Sequence, residues 1–437
     1  MRTLAVTSAA PLLVLANYTL PMVTLPETAR ALGAGPSGPV WILGGIALGL
    51  AALLLIAGAL ADDYGRRRVL VGGAVVLAAA SVLAAVAGNV LMLVVARVLQ
   101  GAASAAVLAS SLGIVGQVYP AGAERVRATA RYGAMIGLGT MVGPVVSGLL
   151  AAVSGWRAAY WLVAVAALVL GVVAGRVLDE SRAVRRRTFD VPGVVLLGLG
   201  LAALVAGVTE GRAGWGRPVV VVAFVVAVVL LVAFVGVEVR RAEPLIDLGL
   251  FRRPLFLVAT GGALVVGAAV IGLLSYLPTV LQLAQGMSAL GTGLLLGVWS
   301  GVSFVSSLLA RYVRVRSGGR LAVGFLLSAV GYLGLVTAGG AGLSLGVLVG
   351  GLVVSGAGAG LINSSITHLA IESVPAHRGS MGSGANNTAR YVGSSLGAAG
   401  VAAVVGSAGV GVGTMVAVIG CMALTGVAAV VVLVVRA

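Results

Sequence analysis

The sequence predicts an all-α polytopic membrane protein, and three observations lead to this prediction. Hydrophobic residues make up 60% of the 437 residues, and charged residues make up only 9%. A soluble chain of this length could not keep so apolar a composition off its surface. The apolar residues form stretches of about 20 residues, the length that a helix needs to cross a bilayer. Almost all arginines outside these stretches lie at the termini or in every second break between the stretches, and hence on one side of the membrane.

Charged, proline-bearing or glycine-rich breaks divide the chain into fourteen predicted spans. A single cysteine, Cys421, excludes an internal disulfide framework. In chain order the predicted spans are 8–27, 39–61, 69–88, 90–118, 128–153, 157–177, 191–209, 217–237, 255–283, 288–311, 320–339, 342–371, 380–405 and 409–435.

The charge distribution predicts the orientation of these spans. All 28 basic residues are arginine, and they give a net charge of +16. Both termini and the loops after the even-numbered spans hold 22 of them, whereas the opposite loops hold four. By the positive-inside rule, we expect both termini to lie in the cytoplasm, and we expect the membrane to be the plasma membrane. The same distribution explains the charge without a nucleic-acid partner. The remaining arginines, Arg97 and Arg390, fall inside spans 4 and 13.

Two pairs of similar segments indicate an internal repeat of six spans. Their offsets are nearly equal, at 255 and 259 residues. Parallel six-helix repeats are a transporter architecture, because two similar bundles can rock around a site between them. The repeat predicts an N-terminal bundle over 1–178, an inserted hairpin over 179–254 and a C-terminal bundle over 255–437. The paired segments are "GAASAAVLASS" (101–111) with "GAGAGLINSS" (356–365), and "TARYGAMIGLG" (129–139) with "TARYVGSSLG" (388–397).

Three motifs resemble those of the major facilitator superfamily. The first, "GALADDYGRRRVL" (58–70), resembles the family's loop motif between spans 2 and 3, although Asp63 stands where the family usually has a basic residue. The second, "LVVARVLQG" (93–101), resembles the span-4 motif, and the third, "GTMVGPVVSG" (139–148), resembles the span-5 motif of antiporters. The matching positions are Gly58, Leu60, Asp62, Gly65, Arg66, Arg67 and Leu70 in the first motif, Arg97, Gln100 and Gly101 in the second, and Gly139, Gly143, Pro144 and Gly148 in the third.

The fourteen spans, with "EPLIDLGLF" (243–251) and "HRGSMGSGANNTARYVG" (377–393), resemble the family's drug–proton antiporter branch. This resemblance implies the major facilitator fold, with two six-helix bundles, an inserted two-helix hairpin and 14 transmembrane helices. It also implies a monomer without a cofactor that exports a small molecule in exchange for protons. For Asp62 it implies a latch to the start of span 13, near Ser380, which holds the cytoplasmic side shut. The alternative for this loop is a solvated turn that only sets topology.

Polar residues inside spans are candidates for the substrate cavity, because contact of such side chains with lipid is costly. A cavity of apolar and neutral polar groups suits an amphiphilic or lipophilic organic compound. The candidates are Asn17, Thr19, Tyr276, Gln282, Trp299, Asn363, Asn386, Asn387 and Arg390.

The acids do not supply the expected proton site. All twelve lie near predicted span ends or in loops, and Asn17 stands where the antiporter branch typically has an aspartate. At a rise of 1.5 Å per residue, Arg97 lies about 10 Å and Asn17 about 15 Å below the outer edge of the membrane. Because these depths are similar, we expect Arg97 to donate to the Asn17 amide oxygen or to a substrate. Export is therefore better supported than the proton as driving ion, and Glu27 is the nearest acid by sequence.

Two other classes of function remain open from the sequence. One is an importer or facilitator of a small organic solute without proton coupling. The more remote one is a membrane enzyme or sensor, which would need a catalytic cluster or an appended soluble domain. The only histidines are His368 and His377, and no nucleotide or metal motif is present. We therefore predict that the chain is not an enzyme.

Overall fold

The computed structural model describes residues 2–119, 123–182, 190–211, 214–241, 248–313, 315–340, 342–374 and 379–435, and all regular structure in these ranges is helical. A π-helical turn (Val266–Ile271) joins two of the helices. The helices are α1 (Arg2–Thr19), α2 (Pro21–Ala31), α3 (Gly38–Tyr64), α4 (Arg66–Ala85), α5 (Val90–Val118), α6 (Ala123–Ser154), α7 (Arg157–Val177), α8 (Val191–Glu210), α9 (Pro218–Arg240), α10 (Pro254–Val265), α11 (Gly272–Gln285), α12 (Ala289–Leu309), α13 (Ser317–Tyr332), α14 (Leu345–Glu372), α15 (Gly379–Ala408) and α16 (Val410–Val435).

The all-helical, multi-span prediction is confirmed, whereas the count of fourteen stays a prediction. Within the described residues, twelve helical stretches are long and apolar enough to cross a membrane. Two further stretches qualify if each bent pair is one span: Arg2–Thr19 with Pro21–Ala31, bent by 43°, and Gly38–Leu54 with Ile56–Tyr64, bent by 51°. The structure therefore contains twelve to fourteen candidate spans.

The first bend has a clear cause in the sequence. Pro21 has no backbone N–H, and its ring clashes with the carbonyl group four residues earlier, so α1 ends at Thr19 and α2 begins at Pro21. The carbonyl oxygen of Asn17 thereby loses its normal helical partner. The sequence analysis predicted a span over about 8–27, and the structure has two helices there with a bend that the analysis did not predict. The freed carbonyl becomes important at the candidate site.

Most helix contacts lie within one half of the chain or the other. In the first half α3 and α4 pack on α5, α4 packs on α7, and α1 packs on α6. In the second half α14 packs on α12 and α13, and α13 packs on α16. The main contacts between the halves join α6 to α12 and α3 to α15. These contacts place α3, α6, α12 and α15 at the interface between the halves.

The hairpin of α8 and α9 lies at the periphery. The two helices pack on each other, and α8 also contacts α3 and α15. Along α9, valines at many successive positions are exposed, among them Val221, Val225, Val228 and Val232. An apolar face of this extent is incompatible with water and suits contact with lipid chains.

Candidate functional site

Arg97, on α5, is the largest fully buried side chain in the described residues, with 0% of its surface exposed. Its Nη1 donates to the carbonyl oxygen of Asn17 (3.0 Å), to the Asn17 amide oxygen Oδ1 (3.3 Å) and to Gln100 Oε1 (2.8 Å). Its Nε and Nη2 donate to the carbonyl oxygens of Ile42 and Tyr18, each at 3.4 Å. The contact with the Asn17 amide, expected from the depth of the two residues, is present.

Local sequence makes room for this guanidinium group. Pro21 leaves the Asn17 carbonyl without a helical partner, so that oxygen can accept from Arg97. On α3, a Cβ at Gly45 would lie 3.1 Å from Arg97 Cβ, and a Cβ at Gly49 would lie 3.0 Å from Gly101 Cα. The glycines therefore let α3 approach α5 closely, which brings the Ile42 carbonyl within reach of Arg97.

Among the described residues, the hydrogen-bond partners of Arg97 are all neutral oxygens. None of the ion pairs among the described residues includes it. Burial of an unpaired charge is costly, and charge-assisted hydrogen bonds to several oxygens offset that cost. Gln100 is itself held in place, because its Nε2 donates to Ser81 Oγ (2.9 Å), which donates to the Leu77 carbonyl (2.7 Å). The result is a fixed positive charge without a titratable acid beside it.

A second group of polar side chains lies between the two halves of the protein, next to the first. The Tyr18 hydroxyl and Ser394 Oγ lie 2.6 Å apart, and the rings of Tyr18 and Tyr391 lie 5.8 Å apart between centroids. Sequence reasoning missed these three residues and Ser81. Tyr391 was within reach, because it follows Arg390 in the repeated "TARY" segment. Tyr18 links both groups, since its carbonyl accepts from Arg97 and its side chain contacts α15.

Arg390 is on α15, and it differs from Arg97 in its hydrogen bonding. Its Nε is buried without a hydrogen-bond partner, and no ion pair among the described residues includes it. Tyr18 interacts electrostatically with both Arg97 and Arg390. The middle of the protein therefore contains two guanidinium groups, and Tyr18 lies near both.

The remaining cavity candidates lie on four helices of the C-terminal half, α11, α12, α14 and α15. Gln282 donates to the Val23 carbonyl (2.7 Å) and to Thr292 Oγ1 (3.1 Å), so it joins α11 to α2. Asn386 is buried and donates to the Ala259 carbonyl (3.0 Å), and its amide nitrogen thus binds within the C-terminal half. The buried Nε1 of Trp299 has no hydrogen-bond partner, and a Cβ at Gly356 would lie 3.4 Å from its Cδ1. Tyr276 is buried, and Asn363 and Asn387 are half-buried.

The span-5 motif lies on the face of α6 that contacts α1 and α12. A Cβ at Gly139 would lie 3.0 Å from Leu12 Cα, and a Cβ at Gly143 would lie 2.6 Å from the Ala16 carbonyl, beside Thr19. A Cβ at Gly148 would lie 2.8 Å from Leu290 Cα. Pro144 is within α6, and its carbonyl would lie 2.7 Å from a Cβ at Gly293. The motif glycines therefore let the backbone of α6 approach the backbones of α1, in its own half, and of α12, in the other half.

We expect Gly143→Val to reduce transport strongly and to lower the thermal stability of the protein. The added side chain would overlap the Ala16 carbonyl and Thr19, where α1 cannot yield without moving the Arg97 contacts. Gly133→Ala in the same helix is the matched control, because a Cβ there meets nothing within 4 Å. That control should retain transport and gain up to about 1 kcal/mol from helix propensity. Equal activity and equal unfolding temperatures for the two variants would contradict this assignment.

The first motif forms a tight turn between α3 and α4. Gly65 has φ of 113°, in the region that favours glycine, and a Cβ there would lie 2.6 Å from the carboxyl carbon of Glu180. The Glu180 carboxylate accepts from the backbone N–H groups of Arg67 (3.1 Å) and Arg68 (3.2 Å), at the N-terminus of α4. An acid at this position satisfies free N–H groups and interacts favourably with the helix dipole. The sequence analysis missed this role of Glu180.

Asp62 finds its partner within the same half of the protein. Arg66 Nη2 and Nε donate to Asp62 Oδ1 at 2.7 and 3.1 Å, and Arg66 Nη1 donates to the Gly113 carbonyl at 3.0 Å. Arg66 thus connects the end of α3 to the end of α5. The side chain of Ser380, near which the resemblance places the latch contact, is not among the described side chains. The latch contact therefore stays a prediction, as does a role for Gly58, where a Cβ would meet nothing within 4 Å.

The described acids lie at helix ends or in loops. Glu27, near the end of α2, accepts from the Trp156 backbone N–H at 3.4 Å, and Glu210, the last residue of α8, accepts from Trp41 Nε1 at 3.3 Å. The other described acids are Asp62, Asp63, Glu124, Asp179, Glu180, Asp190, Glu238 and Glu372. Within the described residues, no acid occupies the middle of a span.

Comparisons with known proteins agree with this architecture. The family model of the Major Facilitator Superfamily matches residues 7–398. The chain is 32% identical over 379 residues to multidrug resistance protein Stp of Mycobacterium tuberculosis, covering 86% of this chain and 70% of that protein. It is 32% identical over 405 residues to puromycin resistance protein pur8 of Streptomyces alboniger, covering 91% and 80%. It is also 31% identical over 404 residues to the tetracenomycin C resistance and export protein of Streptomyces glaucescens, covering 91% and 74%.

A solved structure shows the same fold at low sequence identity. The crystal structure of a POT family transporter in complex with 5-aminolevulinic acid superposes with a TM-score of 0.74 at 13% identity. The match covers 100% of this chain and 97% of that one. At this identity the likeness concerns the fold alone.

Proposed function

The chain belongs to the major facilitator superfamily, and on that premise we propose that it exports an amphiphilic or lipophilic organic compound by alternating access. It is a multi-pass membrane transporter and not an enzyme. The names of its relatives describe multidrug or antibiotic resistance, including puromycin resistance and tetracenomycin C export. Export is therefore the direction of transport that we assign to this chain.

The contact between Tyr18 and Ser394 carries the proposal. It joins the end of α1, next to the bend before α2, to the middle of α15 across the two halves, with an O–O distance of 2.6 Å. A site between two similar bundles can be exposed to either side when the bundles rock. Two aromatic rings and neutral polar groups at this site suit an amphiphilic compound.

The orientation and the coupling ion are parts of the same proposal. We place both termini in the cytoplasm of a monomer in the plasma membrane, on the basis of the arginine distribution. The resemblance to the antiporter branch implies protons as the coupling ion. Because Asn17 occupies the position of the usual acid and binds Arg97 through its amide oxygen, we assign the proton, if one is exchanged, to Glu27.

A resistance and export screen in a pump-deficient host tests the function. Expression of the chain should lower the accumulation of at least one amphiphilic compound and raise resistance to it, relative to cells that express an inactive Arg97→Ala variant. An importer would instead raise the accumulation of its solute. Unchanged resistance and accumulation across neutral, cationic and anionic amphiphiles would overturn the export proposal.

We also propose that Asp62 contributes to a latch that keeps the cytoplasmic side shut. The latch is the contact with the start of α15 that the resemblance implies, and it is separate from the ion pair that Asp62 makes with Arg66 within its own half. Because 42% of the Asp62 side chain is accessible, loss of such a partly exposed contact costs about 0.5–1 kcal/mol. We expect Asp62→Asn to insert normally and to open the cytoplasmic side about two- to fivefold more often.

Thiol labelling can measure this shift. A cysteine at the half-buried position Asn363, in a Cys421→Ala background, should react faster from the cytoplasmic side in the Asp62→Asn protein. Glu124→Gln, at an exposed position at the start of α6, is the control and should leave the labelling rate unchanged. Wild-type labelling and transport in Asp62→Asn would leave the loop with only its topological role.

A further inference from the structure

Arg390 is a deeply placed cation that has neither an ion pair nor a hydrogen bond to its Nε among the described residues. It follows the first residue of α15, Gly379, by eleven positions, which places it about 16 Å into the helix. Its Nε is buried without a hydrogen-bond partner, and its side chain makes none of the ion pairs of the described residues. A cation at such depth is costly and is ordinarily paired or placed at a functional site.

Other arginines in this protein show what a structural role looks like. Arg157 donates to the Ala87 carbonyl (3.0 Å), and Arg320 donates to the Ala310 carbonyl (2.9 Å). Arg97 is surrounded by oxygens from three helices. Arg390 makes no comparable bond to the described backbone. Its guanidinium group is therefore free to bind an acceptor that enters from outside the protein.

The surroundings of Arg390 favour an anion with an apolar body. Tyr391 is its neighbour on α15, and the Tyr391 ring packs against Tyr18. Tyr18 lies within electrostatic range of both Arg390 and Arg97. No described acid occupies the middle of a span, so the described charges at this depth sum to positive. A planar guanidinium group recognises carboxylates bidentately, and the aromatic rings can contact an apolar group.

We propose that the substrate carries a carboxylate or similar monoanionic group, and that Arg390 binds this group. The proposal rests on the export function above and specifies its substrate class. It also accounts for the acid-free centre, because the inside-negative membrane potential favours outward movement of an anion. Such an export requires no proton-carrying carboxylate beside Arg97.

Binding of three matched probes tests the proposal. Dansylglycine is anionic, dansylglycinamide is neutral and dansylcholine is cationic, and all three share one fluorophore. Binding is measured by fluorescence to the full chain in nanodiscs, after subtraction of the signal from empty nanodiscs. The wild type should bind dansylglycine at least about tenfold more tightly than either other probe.

Variants of Arg390 separate a specific site from general attraction to a positive protein. Arg390→Gln should lose the preference for dansylglycine and keep its affinity for dansylglycinamide, whereas Arg390→Lys should retain part of the preference. Arg131, the exposed arginine of the other "TARY" segment, is the matched control, and Arg131→Gln should behave as the wild type. No anion preference in the wild type, or the same preference in Arg390→Gln, would overturn the inference.

Parallel export measurements keep this inference distinct from the proposed function. If the wild type and Arg390→Gln export neutral or cationic amphiphiles equally well and neither exports anions, the export function stands and the anion site fails. If no compound of any charge is exported, the export function fails, because the wild type then does not perform it.

Discussion

Arg97→Ala should abolish transport, with a reduction of about a hundredfold or more. The substitution removes the hydrogen bonds that Arg97 donates to Asn17 and Gln100 and leaves their oxygens buried without a donor. Any two of these three bonds from a charged donor contribute about 3 kcal/mol together, which corresponds to about a hundredfold. The Asn17 carbonyl has no helical N–H to return to, because Pro21 follows four residues later. The geometry of the bend between α1 and α2, and hence of Tyr18, depends on this bond.

Two further substitutions distinguish a loss of function from a loss of folding. Arg97→Lys keeps the charge, but a single ammonium group cannot bridge Asn17, Gln100 and Ile42, so transport should recover only in part. Ser81→Ala removes the acceptor for Gln100 Nε2 and should have a smaller effect. Elution from size exclusion and thermal unfolding in detergent would verify that each variant is folded. Wild-type export by a folded Arg97→Ala protein would contradict the role assigned to this arginine.

The sequence could predict depth along the membrane normal better than lateral position. Rise per residue placed Arg97 and Asn17 at similar depth, and the structure brings them into contact. It could not show that α1 contacts α15, because apolar helices with glycines on several faces have no single preferred packing side. The contact between Tyr18 and Ser394 was therefore missed, although Tyr391 was part of a quoted repeat.

Two local features also went beyond sequence reasoning. The carboxylate that binds the N-terminus of α4 is Glu180, which lies over 110 residues away in the chain, and no local pattern indicates it. The π-helical turn of Val266–Ile271 faces glycines of α15, where a Cβ at Gly397 would lie 2.6 Å from Ala268 Cα. By contrast, the bend at Pro21 has a signal in the sequence, which is the proline itself.

The second large effect concerns the driving force. Export by the wild type should depend weakly on the pH gradient, because Arg97 stays charged and its partner Asn17 does not titrate. Asn17→Asp places a carboxylate where the amide oxygen now lies 3.3 Å from Arg97 Nη1. This acid would titrate beside the arginine, as in the antiporter branch that the chain resembles. We therefore expect Asn17→Asp to make export depend strongly on the pH gradient.

Proteoliposomes allow this comparison at a fixed membrane potential. A gradient of one pH unit is worth about 1.4 kcal/mol for each coupled proton, or about tenfold in accumulation. Accumulation by Asn17→Asp should approach this ratio, whereas accumulation by the wild type should remain well below it. If Asn17→Asp responds no more than the wild type, the amide at this position is not the reason for weak coupling.

The central claim is that this transporter works with a fixed positive charge at its centre and without a proton-carrying acid there. The most direct measurement is export of a substrate from the screen by reconstituted wild-type protein and by Glu27→Gln, with and without an imposed pH gradient. Glu27→Gln retains an acceptor for the Trp156 N–H but cannot carry a proton. We predict weak dependence for the wild type and the disappearance of any remaining dependence in Glu27→Gln. Strong dependence on the pH gradient that survives Glu27→Gln would contradict the claim and would assign coupling to His368 or to the acids at the inner face.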